Sequence, residues 1–206
     1  MIEIIILSLV QGVTEFLPIS SSSHLIIISN YLNLENQNLV VDVSLHIGSF
    51  IAVVVYFKKD IFNFIKNKEF LFKILISSIP VLLIGFFLVE TNLIEKIRNI
   101  KIIAWTTLLF GILLFFSDKF KLEKSIDNNF NYKSAIFIGF FQVLSLIPGV
   151  SRSGIAITAA RFLNYKRVDS AKISFLLSIP TLGAVSIFGL KNIISEENLN
   201  FSTFNL

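Results

Sequence analysis

The sequence predicts an all-α protein that crosses a membrane several times. Of its 206 residues, 54% are hydrophobic and 16% are charged, and the mean hydropathy is +0.77. Soluble domains carry about 25% charged residues, so a chain this poor in charge needs lipid as part of its solvent. Long apolar runs also recur along the chain, and in lipid such runs form helices because every backbone polar group must be paired internally.

Two kinds of apolar segment can be distinguished by their length and continuity. Four uninterrupted segments are close to the roughly 20 residues that a spanning helix needs, at 39–57, 70–89, 102–117 and 172–190. Two others, 2–32 and 134–164, are interrupted near the middle by a proline and small polar residues. Each half has only about a dozen residues, which suits a re-entrant hairpin that enters the membrane and returns.

The lysine and arginine residues indicate which side of the membrane each segment faces. Residues 58–73 contain five of them, residues 118–133 contain four and residues 161–172 contain four. Cytoplasmic loops collect such residues, and all three segments lie inside if four helices span and both broken regions are hairpins. The net charge of +4 therefore reflects membrane topology, and we expect no nucleic-acid partner.

This topology predicts an inverted repeat within a single membrane domain, residues 1–206, because the two hairpins enter from opposite sides. Repeat one covers about 1–117 and repeat two about 134–206. The interrupted stretches GVTEFLPISSSSH and QVLSLIPGVSRSG align as sequences and pair Ser21 with Ser151. In such repeats the broken helices meet at a polar site near the middle of the bilayer, where their N-termini face an anion.

Composition excludes several kinds of site. The chain has no cysteine, which excludes disulfides and thiolate-bound metals. His24 and His46 are too few for a histidine-rich metal cage. Glu3 stands where a cleavable signal would carry a positive charge, so we expect the first apolar segment to belong to the mature protein.

Two oppositely charged residues lie within the interrupted segments. Arg152 is the only basic residue outside the interfacial segments; an arginine at this depth must be paired or lie in a wet cavity, and its planar fork fits phosphate oxygens. Glu15 is the only acidic residue outside the loops and segment ends, with Gln11 on the same helical face. The carboxylate and the amide oxygen could hold a divalent ion that bridges phosphate oxygens. Glu15 could instead act as a base or orient His24.

The serines and the histidine of the first break complete a set of groups for phosphoryl transfer. Ser21 and His24 supply a hydroxyl nucleophile and a titratable imidazole at i and i+3. A plainer interpretation is a structural ion pair between Glu15 and Arg152 that joins the repeats. His46 we interpret as a structural polar contact within its span.

The stretches QGVTEFLPISSSSH and PGVSRSG resemble the two motifs of the undecaprenyl-diphosphate phosphatases, also called bacitracin-resistance proteins, and the resemblance covers essentially the whole chain. It implies a multi-pass enzyme of the bacterial inner membrane, with a site that opens toward the periplasm. The implied reaction removes the terminal phosphate of undecaprenyl diphosphate, which recycles the lipid carrier for peptidoglycan synthesis. The implied cofactor is a divalent cation, Mg²⁺ or Ca²⁺, and the partners are the polyprenyl diphosphate and membrane lipids, with an oligomer compatible with the family.

The resemblance also assigns roles to individual residues. Glu15 and Gln11 would serve the metal or the base, and Ser21 or His24 would attack or relay the proton. Arg152 would bind the diphosphate. The neighbours of Arg152 would contribute to substrate binding: Ser151, Ser153 and Gly154.

Three departures from the family pattern have consequences. Many members have glutamate where this chain has Gln11, and an amide can coordinate a metal but cannot act as a base. The hydroxyl that often follows the SRSG motif directly is found no nearer than Thr158. The sequence ends at Leu206, so we expect the second repeat to be incomplete by about two membrane helices. Because broken helices in inverted repeats also occur in transporters, a flippase of a polyprenyl phosphate lipid is the alternative function.

Overall fold

The computed structural model describes residues 2–34, 39–91, 93, 99–120 and 123–204, and these residues are almost entirely helical. Lys121, one of the basic residues counted above, lies outside them. The helices are α1 Ile2–Thr14, α2 Ser21–Leu32, α3 Leu39–Tyr56, α4 Lys58–Lys66, α5 Lys68–Glu90, α6 Ile100–Ser117, α7 Ile126–Asn129, α8 Tyr132–Val143, α9 Arg152–Phe162 and α10 Arg167–Phe204. A 3₁₀ turn, Leu144–Leu146, follows α8.

Three of the four predicted spans are helices long and apolar enough to cross a membrane: α5, α6 and the part of α10 from Arg167 to Ile194. Many of their large apolar side chains face outward, as expected for contact with lipid rather than water. The fourth, α3, has an apolar stretch from Val40 to Tyr56, which is at the lower end of the spanning range of about 17–25 residues. The all-α polytopic membrane fold is therefore confirmed.

The two interrupted regions form helix–break–helix hairpins, in which α1 packs against α2 and α8 packs against α9. Serines cap the returning half-helices: the Ser20 hydroxyl accepts from the Ser23 amide at 3.4 Å, and the Ser151 hydroxyl accepts from the Gly154 amide at 3.1 Å. The N-caps of the two half-helices are thus Ser20 and Ser151. The sequence alignment instead pairs Ser21 with Ser151, because the letters alone do not show where each half-helix begins.

The second hairpin lies at the centre of the packing. Helix α9 contacts α6, α8 and α10, and its alanine-rich face is completely buried, including Ala156, Ala159 and Ala160. Helix α8 approaches α5 closely, because a Cβ atom on Gly139 would lie 2.5 Å from the carbonyl oxygen of Ser77. Small residues allow such close helix contacts in membranes. Here the contact at Gly139 holds α8, the first helix of the second hairpin, against α5.

A buried arginine fixes the far end of α9. Although Arg161 belongs to a basic interfacial segment, its side chain is fully buried; Nε donates to Asp118 Oδ1 at 3.0 Å and Nη1 to the Tyr165 carbonyl at 2.7 Å. Asp118 also accepts from Arg167 Nη2 at 2.6 Å. The hydrogen bond from Arg167 is the main reason that the pKa of Asp118 is lowered, although desolvation opposes the shift.

Candidate active site

The tips of the two hairpins meet inside the protein. Oε1 of Glu15 forms an ion pair with Nη2 of Arg152, and the Glu15 side chain is 5% exposed. The Ser153 hydroxyl donates to the carbonyl of Leu17, which joins the tips a second time. The structure therefore contains the pairing of Glu15 with Arg152 that the sequence allowed, and this pair joins the first hairpin to the second.

The other carboxylate oxygen of Glu15 receives two more hydrogen bonds. The Ser21 hydroxyl donates to Oε2 at 2.6 Å, and Nε2 of Gln11 donates to the same atom at 3.0 Å. Gln11 thus lies on the same helical face as Glu15, as predicted, but it presents its NH₂ group to the carboxylate. Its carbonyl oxygen, Oε1, is buried without a hydrogen-bond partner.

His46 also belongs to this cluster. The sequence analysis interpreted it as a structural polar contact within its span and did not connect it with Glu15 and Gln11. Its Nδ1 atom lies 3.2 Å from Nε2 of Gln11 and 4.0 Å from Oε2 of Glu15. One turn further along α3, the Ser49 hydroxyl lies 3.4 Å from the same Gln11 nitrogen. The signal available in the sequence was an ionisable residue inside a spanning segment, which by default indicates a functional site.

His24 lies at the start of α2 but turns toward the break. Its Nδ1 atom is 2.7 Å from the Ser20 carbonyl oxygen. Because a carbonyl only accepts, Nδ1 carries the hydrogen, and in the neutral ring Nε2 holds the free lone pair. Ser20, and not Glu15, therefore orients this imidazole.

The guanidinium of Arg152 is held at both ends. Nη2 contacts Glu15, and Nη1 donates to the Thr181 hydroxyl on α10 at 2.6 Å. Ser151 and Ser153, which flank Arg152, lie with their hydroxyls 3.0 Å apart. Thr158 does not reach this region, because its hydroxyl donates to the Gly154 carbonyl in its own helix at 2.8 Å.

Helix α6 holds the loop that precedes Arg152. The hydroxyl of Thr106 donates to the Pro148 carbonyl at 2.6 Å, and that of Thr107 donates to the Gly149 carbonyl at 3.1 Å. Gly149 has φ +93° and lies against the Ile103 backbone, a conformation that residues with a Cβ rarely adopt. Neither threonine was singled out from the sequence, since a hydroxyl in a membrane helix usually bonds only to its own backbone.

A family model described as "Bacitracin resistance protein BacA" matches residues 4–205. This chain belongs to the BacA family. The "Undecaprenyl-diphosphatase" of Pelagibacter ubique (strain HTCC1062) is 50% identical over 202 residues, covering 97% of this chain and 79% of that protein. Proteins of the same name from Jannaschia sp. (strain CCS1) and Hahella chejuensis (strain KCTC 2396) are 39% and 41% identical, covering 77% and 74% of those proteins.

In this BacA-family chain, a cavity of about 400 Å³ lies beside the cluster that Glu15 and Arg152 organise. Its polar lining comes from serines of α2 and of the second hairpin and from two residues of α3, namely Ser22, Ser23, Ser145, Asp42 and His46. Apolar side chains such as Ile103 and Val185 form much of the rest. A cavity lined by both polar and apolar side chains suits the junction between a charged headgroup and a lipid tail.

Proposed function

We propose that this chain hydrolyses undecaprenyl diphosphate to undecaprenyl phosphate and inorganic phosphate, which recycles the lipid carrier for peptidoglycan synthesis and confers resistance to bacitracin. Membership of the BacA family and the names of the relatives support this function. The observation that carries it is the junction of the hairpins, where the Glu15 carboxylate contacts both Arg152 and the hydroxyl of Ser21. These are an anion-binding group, a proton acceptor and a nucleophile.

Arg152 is proposed to bind the diphosphate. Its pairing with Glu15 compensates a charge that would be costly in the membrane interior without substrate. A diphosphate offers stronger charge and several acceptor oxygens, so Nη2 can move from the carboxylate to a phosphate oxygen. The exchange would leave the Glu15 carboxylate free to accept a proton.

Ser21 is proposed as the nucleophile, because its hydroxyl already donates to Glu15 Oε2 at 2.6 Å. The hydroxyl oxygen would form a bond to the terminal phosphorus as its proton passes to Glu15. The bond between that phosphorus and the bridging oxygen breaks, and undecaprenyl phosphate leaves with the bridging oxygen. Arg152 would stabilise the negative charge that this oxygen acquires.

A water molecule then hydrolyses the phosphoserine at Ser21 and releases inorganic phosphate. His24 is proposed to accept the proton of this water, because its Nδ1–H is held by the Ser20 carbonyl and its Nε2 is the basic atom of the neutral ring. The proton that Glu15 took in the first step returns to the Ser21 oxygen. His24 then gives its proton to a product phosphate, so the sum of both steps is the addition of one water across the phosphoric anhydride bond.

A divalent cation, Mg²⁺ or Ca²⁺, is proposed as the cofactor, and the residues present fit it in part. Glu15 supplies a carboxylate, and Gln11 has a buried carbonyl oxygen without a partner that could become a ligand. Within the described residues no three histidine or acidic side chains come together, so diphosphate oxygens and water would complete the coordination, as is usual for magnesium. When bound, the cation would neutralise charge on the diphosphate.

The site is proposed to open toward the periplasm. Asp42 and Ile103 line the cavity from the first turns of α3 and α6. The other ends of these helices lead to Lys58 and Lys119, which belong to the basic segments expected in the cytoplasm. This arrangement supports a cavity nearer the periplasmic ends of the spanning helices.

The test is phosphate release from a long-chain polyprenyl diphosphate by the purified protein in detergent, with and without a chelator. We expect release that depends on the metal and is lost in Ser21→Ala, His24→Ala and Arg152→Ala. The control is Ser44→Ala, which removes an exposed hydroxyl bonded to its own helix and should leave release unchanged.

The outcomes distinguish the alternatives. If Ser21→Ala released phosphate at the wild-type rate, the nucleophile would be water or His24 and not Ser21. Absence of release by the wild-type chain, together with movement of a polyprenyl phosphate across vesicles that contain it, would favour the flippase over the phosphatase.

A further inference from the structure

The second contact of Arg152, on the side away from Glu15, is not explained by the roles given above. Nη1 donates to the Thr181 hydroxyl at 2.6 Å, and Thr181 is 5% exposed. The Thr181 hydroxyl itself donates to backbone carbonyls of its own helix, with Leu177 at 3.0 Å and Ser178 at 3.2 Å. Its oxygen therefore faces the guanidinium as an acceptor whose orientation is set by the helix.

We propose that Thr181 is a positioning residue that holds the guanidinium fork of Arg152 for the diphosphate, an inference that rests on the proposed function. When Nη2 exchanges Glu15 for a phosphate oxygen, the contact of Nη1 with Thr181 can persist. The guanidinium group then keeps its orientation, because the hydrogen bond to Thr181 restricts rotation about the side-chain bonds of Arg152. A neutral acceptor is suited to this role, because a second carboxylate would compete with the phosphate for the guanidinium.

The location of Thr181 strengthens the assignment. It lies on α10, which packs against α9, the helix that Arg152 begins. A β-branched side chain in a helix has few χ1 rotamers, so the hydroxyl is held at a defined point relative to Arg152. The arginine is thereby positioned by two different elements, the first hairpin through Glu15 and α10 through Thr181.

The first variant to test is Thr181→Val, which keeps the shape of the side chain and removes the hydroxyl. Loss of one buried hydrogen bond to a charged group is expected to lower kcat/KM for phosphate release about ten- to hundredfold. Thr181→Ser restores the hydroxyl and should recover kcat/KM to within about threefold of the wild type. If Thr181 acted only through the packing of its methyl group, Thr181→Val would be more active than Thr181→Ser.

The matched control is Thr158→Val. Thr158 is equally buried and also donates to a carbonyl of its own helix, but its hydroxyl makes no contact with Arg152. We expect its kcat/KM to stay near the wild-type value. Thermal denaturation of each variant in detergent separates a loss of folding from a loss of activity.

A double-mutant cycle with Arg152→Lys decides whether Thr181 acts through the arginine. Lysine keeps the charge but lacks the planar guanidinium group. Thr181→Val should therefore lower kcat/KM by a much smaller factor in the Arg152→Lys background than in the wild type. The inference would be overturned if Thr181→Val lowered kcat/KM by the same factor in both backgrounds, or if Thr181→Val alone had wild-type activity. Either result would leave the phosphatase proposal intact. Absence of release by the wild-type chain would overturn the phosphatase proposal first, and this inference with it.

Discussion

Gly149 provides a direct test of whether the loop before Arg152 must have the conformation described here. In Gly149→Ala, the new Cβ would lie 2.7 Å from the Ile103 carbonyl oxygen and 2.9 Å from its Cα, both backbone atoms that cannot rotate away. The left-handed conformation at φ +93° adds a cost of about 1–2 kcal/mol for a residue with a side chain. Overpacking typically adds about 1–3 kcal/mol, so we expect a total destabilisation of about 2–5 kcal/mol.

This destabilisation should also lower catalysis, because the loop carries the Ser151 cap and leads directly into Arg152. The assays are thermal denaturation in detergent and phosphate release at a temperature where the variant remains folded. Gly111→Ala is the control, since a Cβ there meets nothing within 4 Å and alanine is the better helix former, by about 0.5–1 kcal/mol. If Gly149→Ala were as stable and active as Gly111→Ala, the assigned loop conformation and its contact with α6 would be wrong.

Three further predictions address the arginine, one helix contact and the effect of pH. Arg152→Lys should lower kcat/KM for phosphate release about tenfold or more, because an ammonium group cannot bind two acceptors as a fork does; release at the wild-type rate would show that charge alone suffices. Gly139→Ala should lower the free energy of unfolding by about 1–3 kcal/mol, seen as a lower Tm, because its Cβ would overlap the Ser77 carbonyl; an unchanged Tm would show that α5 and α8 can separate. The hydrogen bond from Arg167 lowers the pKa of Asp118, so the stabilisation from this carboxylate is present at neutral pH and is lost as the pH falls through the lowered pKa. Denaturation curves from about pH 7 to about pH 3 should show a smaller acid-dependent loss in Asp118→Asn, and identical curves would refute the pairing.

Much of the architecture could be predicted because lipid constrains a chain locally. The spans α5, α6 and α10 follow from apolar runs, since a segment in lipid must pair its own backbone groups. The hairpins follow from the proline and serines in the middle of two such runs. Even the ion pair between Glu15 and Arg152 was available as an alternative, because two isolated charges in lipid need compensation.

Other features depended on rotation and register, which a single sequence does not report. The N-cap of α2 is Ser20, which the sequence did not indicate, since any of four successive serines could have begun this helix. His46 joined the site because α3 turns that face toward Gln11, a matter of helix packing. Arg161, predicted in an interfacial segment, is buried because Asp118 and nearby carbonyls meet its donors.

The sequence by itself determined the membrane fold, the positions of the two breaks and the types of chemical group that they contain. These properties depend on the composition of contiguous segments and on the free energy of moving each group into lipid. Only the tertiary structure decided that Ser21 faces Glu15, that His46 meets Gln11 and that Thr181 holds Arg152. Hydrogen bonds act over about 3 Å, so they depend on how separate helices pack, and that packing is settled by the whole chain at once.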